Sequence, residues 1–394
     1  MKKLLAATTA AALCAGGVSA QDVKIGVILG YTGPLESITP TMADGAELAM
    51  KEANDSGKFL EGMTIVSVRA DSTCVDATAA TAAAERLITS DGIKAIMGAD
   101  CSGVTGAILQ NVARPNGMGM ISPAATSPAL SDAEDDGLFF RTAPSDARQG
   151  AIMADILNER GVKSVALTYT NNDYGKGLAD SFQAAFEASG GEVTLSAAHE
   201  DNKADYSAEV GALAAAGGEV LVVAGYTDKG GKGIIQGSLD AGAFDRFMLP
   251  DGMVSQQLVD DIGEGLTGSF GQYPGSDSQG AEIFQELATA AGFDGTSTFA
   301  PESYDSAALI ILSMAAAQSV ESKDWTGKVM DLANAPGEQI LPGELGKALD
   351  LIAAGEDIDY VGATAVELID GGESAGNYRE IEIENGEIKT LRFR

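Results

Sequence analysis

The 394-residue chain holds a single histidine, a single tryptophan and three cysteines. So little histidine removes the usual general base and the commonest zinc ligand. Basic residues are also scarce: 25 Lys and Arg stand against 57 Asp and Glu, a formal charge of −32. Strong nucleic-acid binding, which needs a basic patch to neutralise phosphates, is excluded as an expectation. Beyond the N-terminus the longest apolar run is Ala307 to Ala317, with Ser313 inside it. That is short of the roughly 18 residues a membrane-spanning helix requires, so a soluble mature protein is expected. No G-x-S-x-G elbow, zinc spacing or phosphate-cradling loop occurs. Gly26, Gly30 and Gly33 follow an apolar run, but as G-x-x-x-G-x-x-G, which lacks the tight turn of a dinucleotide site. What is present is a 45% hydrophobic composition, that of a globular protein.

Met1-Lys2-Lys3 followed by the apolar Leu4 to Leu13 and the small-residue Val18-Ser19-Ala20 reads as an export signal cut after Ala20, leaving Gln21 first. Cys14 invites a lipoprotein reading, against which stand the bulky Leu13 before it and the short segment upstream. Export leaves Cys74 and Cys101 in an oxidising compartment, where an even count reads as one disulfide; two buried free thiols are the alternative.

Short β-rich runs alternate with helical patterns along most of the chain. Val23–Leu29, 64–69, 93–98, 119–122, 164–169, 192–196 and Val220–Ala224 read as strands; 40–56, 76–90, 103–114, 174–189, 206–216 and 231–241 read as helices. The alternation calls for an α/β fold with parallel sheets covered by helices. There are too many elements for one sheet, so two Rossmann-like lobes are expected. Changes of texture at 139–144, 268–275 and 370–376 give three crossovers: residues 21–142 plus 273–370 form one lobe, and 143–272 plus 371–394 the other. Ligands of such sheets sit beyond the carboxyl ends of the strands, in a cleft between the lobes.

Two segments place a hydroxyl where a strand gives way to a helix. Ser102, in Asp100-Cys101-Ser102-Gly103, falls at an expected helix N-cap; Thr126, in Ser122-Pro123-Ala124-Ala125-Thr126-Ser127-Pro128, precedes a proline that can start a helix. Each alone is most often a cap. Together, on adjacent strands, they have the form of a carboxylate clamp. The lone His199 lies among Glu200 and Asp201 and reads as a solvated loop residue, and the acidic run 132–136 as a charged helix face rather than a calcium site. No metal site or cofactor is expected.

These segments, with Phe140-Arg141-Thr142, Asp173-Tyr174-Gly175-Lys176-Gly177-Leu178, Gly225-Tyr226 and Pro250-Asp251-Gly252, follow the order of the periplasmic Leu/Ile/Val-binding protein family, which the chain resembles across nearly its whole mature length. The resemblance implies the type I periplasmic binding protein fold and the role of substrate-binding subunit of a branched-chain amino-acid ABC transporter. It also implies a bridge from Cys74 to the cysteine before the clamp serine. By the same resemblance, Ser102 and Thr126 hold the ligand α-carboxylate, the Ala124 carbonyl accepts from the α-ammonium and Asp251 pairs with it, while Tyr174 and Tyr226 close over the ligand. Tyr31 and Phe299 fall near side-chain-pocket positions. Asp100 departs from the family, which has an apolar residue there; it either faces the ligand side chain, disfavouring a purely aliphatic one, or turns into solvent. The segment Leu35-Glu36-Ser37 departs as well.

The expected activity is capture of an amino acid, with lobe closure, in the periplasm and delivery to an inner-membrane ABC permease by a monomer. Rival readings are a short amide, urea or another small carboxylate as ligand, a sensor input in place of transport, and a secreted α/β hydrolase restricted to carboxylate chemistry.

Overall fold

The computed structural model describes residues 22–394; the segment read as an export signal, its expected cleavage site and Cys14 lie outside them. Two seven-stranded sheets organise the chain. Strands β1 (Val23–Leu29), β2 (Ile65–Asp71), β3 (Ala95–Gly98), β4 (Met120–Ser122) and β5 (Phe139–Pro144) build the first. Strands β6 (Ser164–Thr170), β7 (Glu192–His199), β8 (Val220–Ala224), β9 (Phe247–Leu249) and β10 (Phe270–Pro274) build the second. A two-stranded parallel ribbon, β11 (Glu338–Ile340) and β12 (Ile358–Tyr360), stands apart. The chain then adds β13 (Leu368–Ile369) and β14 (Glu373–Ser374) to the first sheet and β15 (Tyr378–Glu384) and β16 (Glu387–Phe393) to the second.

The orders are β13-β14-β5-β4-β3-β1-β2 and β16-β15-β10-β9-β8-β6-β7. Both sheets are parallel through their centres, as expected, with antiparallel pairs only at one edge, β13 with β14 in the first and β10 with β15 and β15 with β16 in the second. Position in the sheet explains the apolar pattern. Central β8, Val-Leu-Val-Val-Ala, is buried at every residue because helices cover both faces, whereas edge strand β7 alternates with exposed positions. The apolar run near 307–317 belongs to the helix Ala300–Ala317, buried from Glu302 to Ala315 between helix Thr39–Ser56 and the first sheet. Its hydrophobicity on all sides serves a core. Among the described residues no helix is long and apolar enough to cross a membrane.

The chain passes between sheets after Pro144, after Pro274 and between Ser374 and Tyr378, a few residues beyond the positions 142, 272 and 370 read from sequence. These passages touch one another: Gly275 N–H donates to the Asn377 carbonyl at 3.0 Å, and Pro274 pairs with Tyr378. Gly376, at φ +61°, leaves no room for a Cβ, which would lie 2.4 Å from Pro144.

Three local expectations are corrected. The acidic run 132–136 is a turn, because Asp136 and Gly137 both take left-handed backbone angles (φ +55° and +72°) that break a helix; Arg114 pairs with Asp136 there. His199 is no solvated residue. It closes strand β7 in the interior with Nδ1 2.8 Å from the Thr168 hydroxyl, and burial lowers its pKa to about 4. Ser102 is the first helical residue, with Cys101 in the cap position.

Candidate ligand cleft between the two sheets

The loops that follow β1, β3 and β4 face those that follow β6, β8 and β9, and a narrow cleft lies between them. From the first sheet come Leu35, Asp100, Cys101, Ser102 and Ala124. From the second come Tyr174, Tyr226, Asp251 and Gly252, and Phe299 closes the side. The cleft is at the carboxyl ends of both sheets, where no backbone strand hydrogen bonds compete for a ligand.

Two clasps shape the first wall. Cys74, in the loop after β2, is bonded to Cys101 with 5.2 Å between their Cα atoms, which locks the entry to helix Ser102–Ile108. Closing a 27-residue separation contributes roughly 3–4 kcal/mol in the chain-entropy view. Arg141 is the second clasp: buried on β5, it donates from Nη1 to the Ala125 and Ser127 carbonyls at 2.9 Å each and from Nη2 to Ser131 and to Glu373 of β14. The Ser122 hydroxyl accepts from the Ala124 and Ala125 N–H groups and donates to the Ala99 carbonyl, so the 122–127 loop is held from both sides. Ser102 Oγ accepts the Ser127 N–H at 3.0 Å, which leaves its own proton free to donate. Ser127, rather than Thr126, caps the following turn; the Thr126 hydroxyl is buried without a partner.

The second wall is aromatic and acidic. Asn172 caps helix Asp173–Ala188 by accepting from Gly175 N–H, and so fixes Tyr174 in the first turn. Tyr174 stacks on Tyr226 with centroids 5.1 Å apart and planes at 17°. The Tyr174 hydroxyl donates to Asp251 Oδ1 at 2.6 Å, and Gly252 N–H donates to the same oxygen at 2.7 Å. A Cβ at Gly252 would stand 2.6 Å from the Gly225 carbonyl, so only glycine permits this approach. Asp251 Oδ2 is buried with no partner. Burial pushes the Asp251 carboxyl above its usual range, and the bonds from Tyr174 and Gly252 oppose that rise.

The cleft thus brings together Asp100, Ser102, Ala124, Tyr174, Tyr226, Asp251 and Phe299, while Thr126, buried with its hydroxyl unpartnered, is not part of the lining. Tyr31 is elsewhere, half-buried under the Arg69 guanidinium, 5.8 Å from its ring centre. Asp100 does not turn to solvent: both its oxygens accept from Gly30 N–H and Oδ1 also from Ser72, and burial raises its pKa to about 6. Asp100 groups with Cys74 and Cys101, but sulfurs joined in a disulfide offer a metal no thiolate. Leu35 and Gly252 also line the cleft, though neither carries a role in the sequence reading; Leu35 lies in the segment that departs from the family pattern.

A narrow cleft shared by two α/β lobes, with an unpartnered carboxylate oxygen on one wall and a free hydroxyl proton on the other, has the form of a solute receptor. The chain belongs to the periplasmic binding protein family, whose model matches residues 22–332. Among curated relatives, Leu/Ile/Val-binding protein homolog 1 of Brucella melitensis is 31% identical over 317 residues, covering 79% of this chain and 80% of that one. Homolog 3 of the same organism is 34% identical over 233 residues, 59% of this chain and 62% of that one. The crystal structure of a leucine binding protein from Thermotoga maritima superposes with a TM-score of 0.79 at 21% identity, covering 94% of this chain and 98% of that one, which shows a shared fold.

Proposed function

We propose that this protein captures an α-amino acid with a short aliphatic side chain in the periplasm and presents it to an ABC permease, without chemical turnover. The observation that carries the reading is the polarity of the unpartnered atoms. Asp251 Oδ2 is an acceptor awaiting a donor, and the Ser102 and Thr126 hydroxyls have protons to give. An ammonium satisfies the first and a carboxylate the second, so one zwitterion compensates both walls; a buried charge left unmatched is costly. Ala124 lines the same cleft. The tyrosine pair adds apolar surface and cation–π attraction for the ammonium.

Leu35, Phe299, Tyr226 and the disulfide supply the remaining surface, and Asp100, already accepting from the Gly30 N–H and the Ser72 hydroxyl, needs no cation from the ligand. An aliphatic side chain fits that lining, in keeping with the names of the Brucella relatives. Contacts to both walls exist only when the lobes are shut, so ligand and closed state stabilise each other. A thermal-shift screen of the protein amino acids, short amides and benzoate tests this. Leucine, isoleucine or valine at about 100 times Kd should add roughly 2.7 kcal/mol of stability. Response only to amides or to carboxylates without an ammonium overturns the reading. Asp251→Ala should weaken binding by about 3–5 kcal/mol, since it strands a buried ammonium; unchanged calorimetric affinity would refute the assigned role.

A further inference from the structure

The helix Asp173–Ala188 brings more than Tyr174 to the cleft. One turn further along it carries Gly177, in the helix interior, where glycine costs helix stability that alanine would not. No left-handed backbone angle calls for glycine there. Gly175, on the same turn, is explained within its own lobe, since a Cβ would stand 2.1 Å from the Thr170 carbonyl oxygen. A Cβ at Gly177 would meet the other lobe instead: beyond its own helix the nearest atoms are Pro128 Cδ at 2.8 Å and Ser127 Oγ at 3.2 Å. Neither side of this contact yields. Pro128 is a closed ring opening the turn Pro128–Leu130, and the Ser127 carbonyl before it is held by Arg141 Nη1 at 2.9 Å. The helix is backed by Asp146–Glu159, whose Gly150 lies so near that a Cβ would stand 2.5 Å from Phe182 N. Ser127 N–H donates to Ser102 Oγ, so the contact joins the loop that orients the Ser102 hydroxyl to the helix turn that carries Tyr174.

We propose that Gly177 is a positioning residue for closure: its missing side chain lets the lobes approach to the distance at which Ser102 on one wall and Tyr174 and Asp251 on the other engage one ligand. This rests on the amino-acid reading above. A methyl group at Gly177 cannot be absorbed by a proline ring or by a helix packed from behind, so it is accommodated by holding the lobes apart. With the lobes apart the same methyl meets nothing on the first lobe, and its helix propensity favours the fold. Substitution therefore stabilises the open arrangement and penalises the shut one, a population shift away from the form that binds. A glycine that weakens its own helix is thereby accounted for by what it permits across the cleft.

Calorimetric titration of the full mature chain with L-leucine, beside thermal melts without ligand, tests this in Gly177→Ala, in Gly177→Ala combined with Pro128→Ala, and in Gly211→Ala. Gly211 is the control, an exposed position inside helix Ser207–Ala216 where a Cβ would meet nothing within 4 Å. Both single glycine variants should melt about 1–2 °C above the wild type without ligand. Gly177→Ala should bind leucine roughly ten- to a hundredfold more weakly, the range that overpacking costs. Gly211→Ala should bind as the wild type does, and removing the Pro128 ring should recover part of the loss. Wild-type affinity in Gly177→Ala, or a loss that Pro128→Ala leaves untouched, overturns the inference and leaves the ligand assignment standing. A lowered melting temperature of ligand-free Gly177→Ala overturns it too, because the clash would then lie inside one lobe. No binding of leucine, isoleucine or valine to a folded wild type overturns both.

Discussion

Glu302 shows how a single side chain sets the response to pH. It sits in the first turn of the buried helix Ala300–Ala317 with Oε2 unpartnered, and burial, aided by Asp305 and opposed by Arg379, pushes its pKa up to about 8. An unfolded glutamate titrates near about 4.3. Between those values the folded protein keeps a proton that the unfolded chain has lost. This contribution to stability is therefore complete below the unfolded value and falls by up to about 1.4 kcal/mol per unit as pH rises, levelling above the folded value. Glu302→Gln should show a widening stability advantage over the wild type from about pH 5 to 8 in denaturant titrations; parallel curves would contradict it. Nothing in Ala300-Pro301-Glu302-Ser303 distinguishes this acid from a solvated helix-start glutamate, because only packing decides which acid is dry. Asp251 was legible because it stands in an ordered set of motifs.

At the scale of elements, strand ends matter more than strand lengths. The runs at Val23–Leu29 and Val220–Ala224 match their strands residue for residue, because central parallel strands must be apolar on both faces. The antiparallel edges and the β11–β12 ribbon had no comparable signal, being two or three residues per strand in several cases. Arg141 links three of these elements, β5, the 122–127 loop and β14. Arg141→Met should cost about 3–5 kcal/mol by stranding the Glu373 carboxylate, and adding Glu373→Met should restore part of that loss. Chemical denaturation of the two variants measures both terms; equal loss in single and double variants would show that the ion pair is not what Arg141 supports.

For the whole molecule, closure depends on contacts away from the ligand as well as at it. The segment Leu35-Glu36-Ser37 reaches across the cleft mouth: Ser37 N–H donates to Asp228 Oδ2 at 2.8 Å, and Asp228 N–H donates to the Pro34 carbonyl at 3.1 Å. Leu35 from the same segment lines the cleft. Asp228→Ala removes one charge-assisted bond made between the two lobes, a change of about 1.5 kcal/mol for this partly buried carboxylate. Leucine release in stopped-flow experiments should quicken by roughly tenfold while association stays unchanged. Slower association with unaltered release would contradict a closing role.

The order of apolar runs and turns determined two parallel-sheet lobes, because helices on both faces of a strand leave a continuous hydrophobic signature in one dimension. The same order marked Ser102, Tyr174, Tyr226 and Asp251, each just past a strand end. Tertiary structure alone decided which acids lost their water, that His199 is internal and that Tyr31 stands outside the cleft. It also decided that Leu35 lines the cleft. Desolvation and charge proximity depend on distances between segments remote in the chain, and those distances exist only once the sheets have packed.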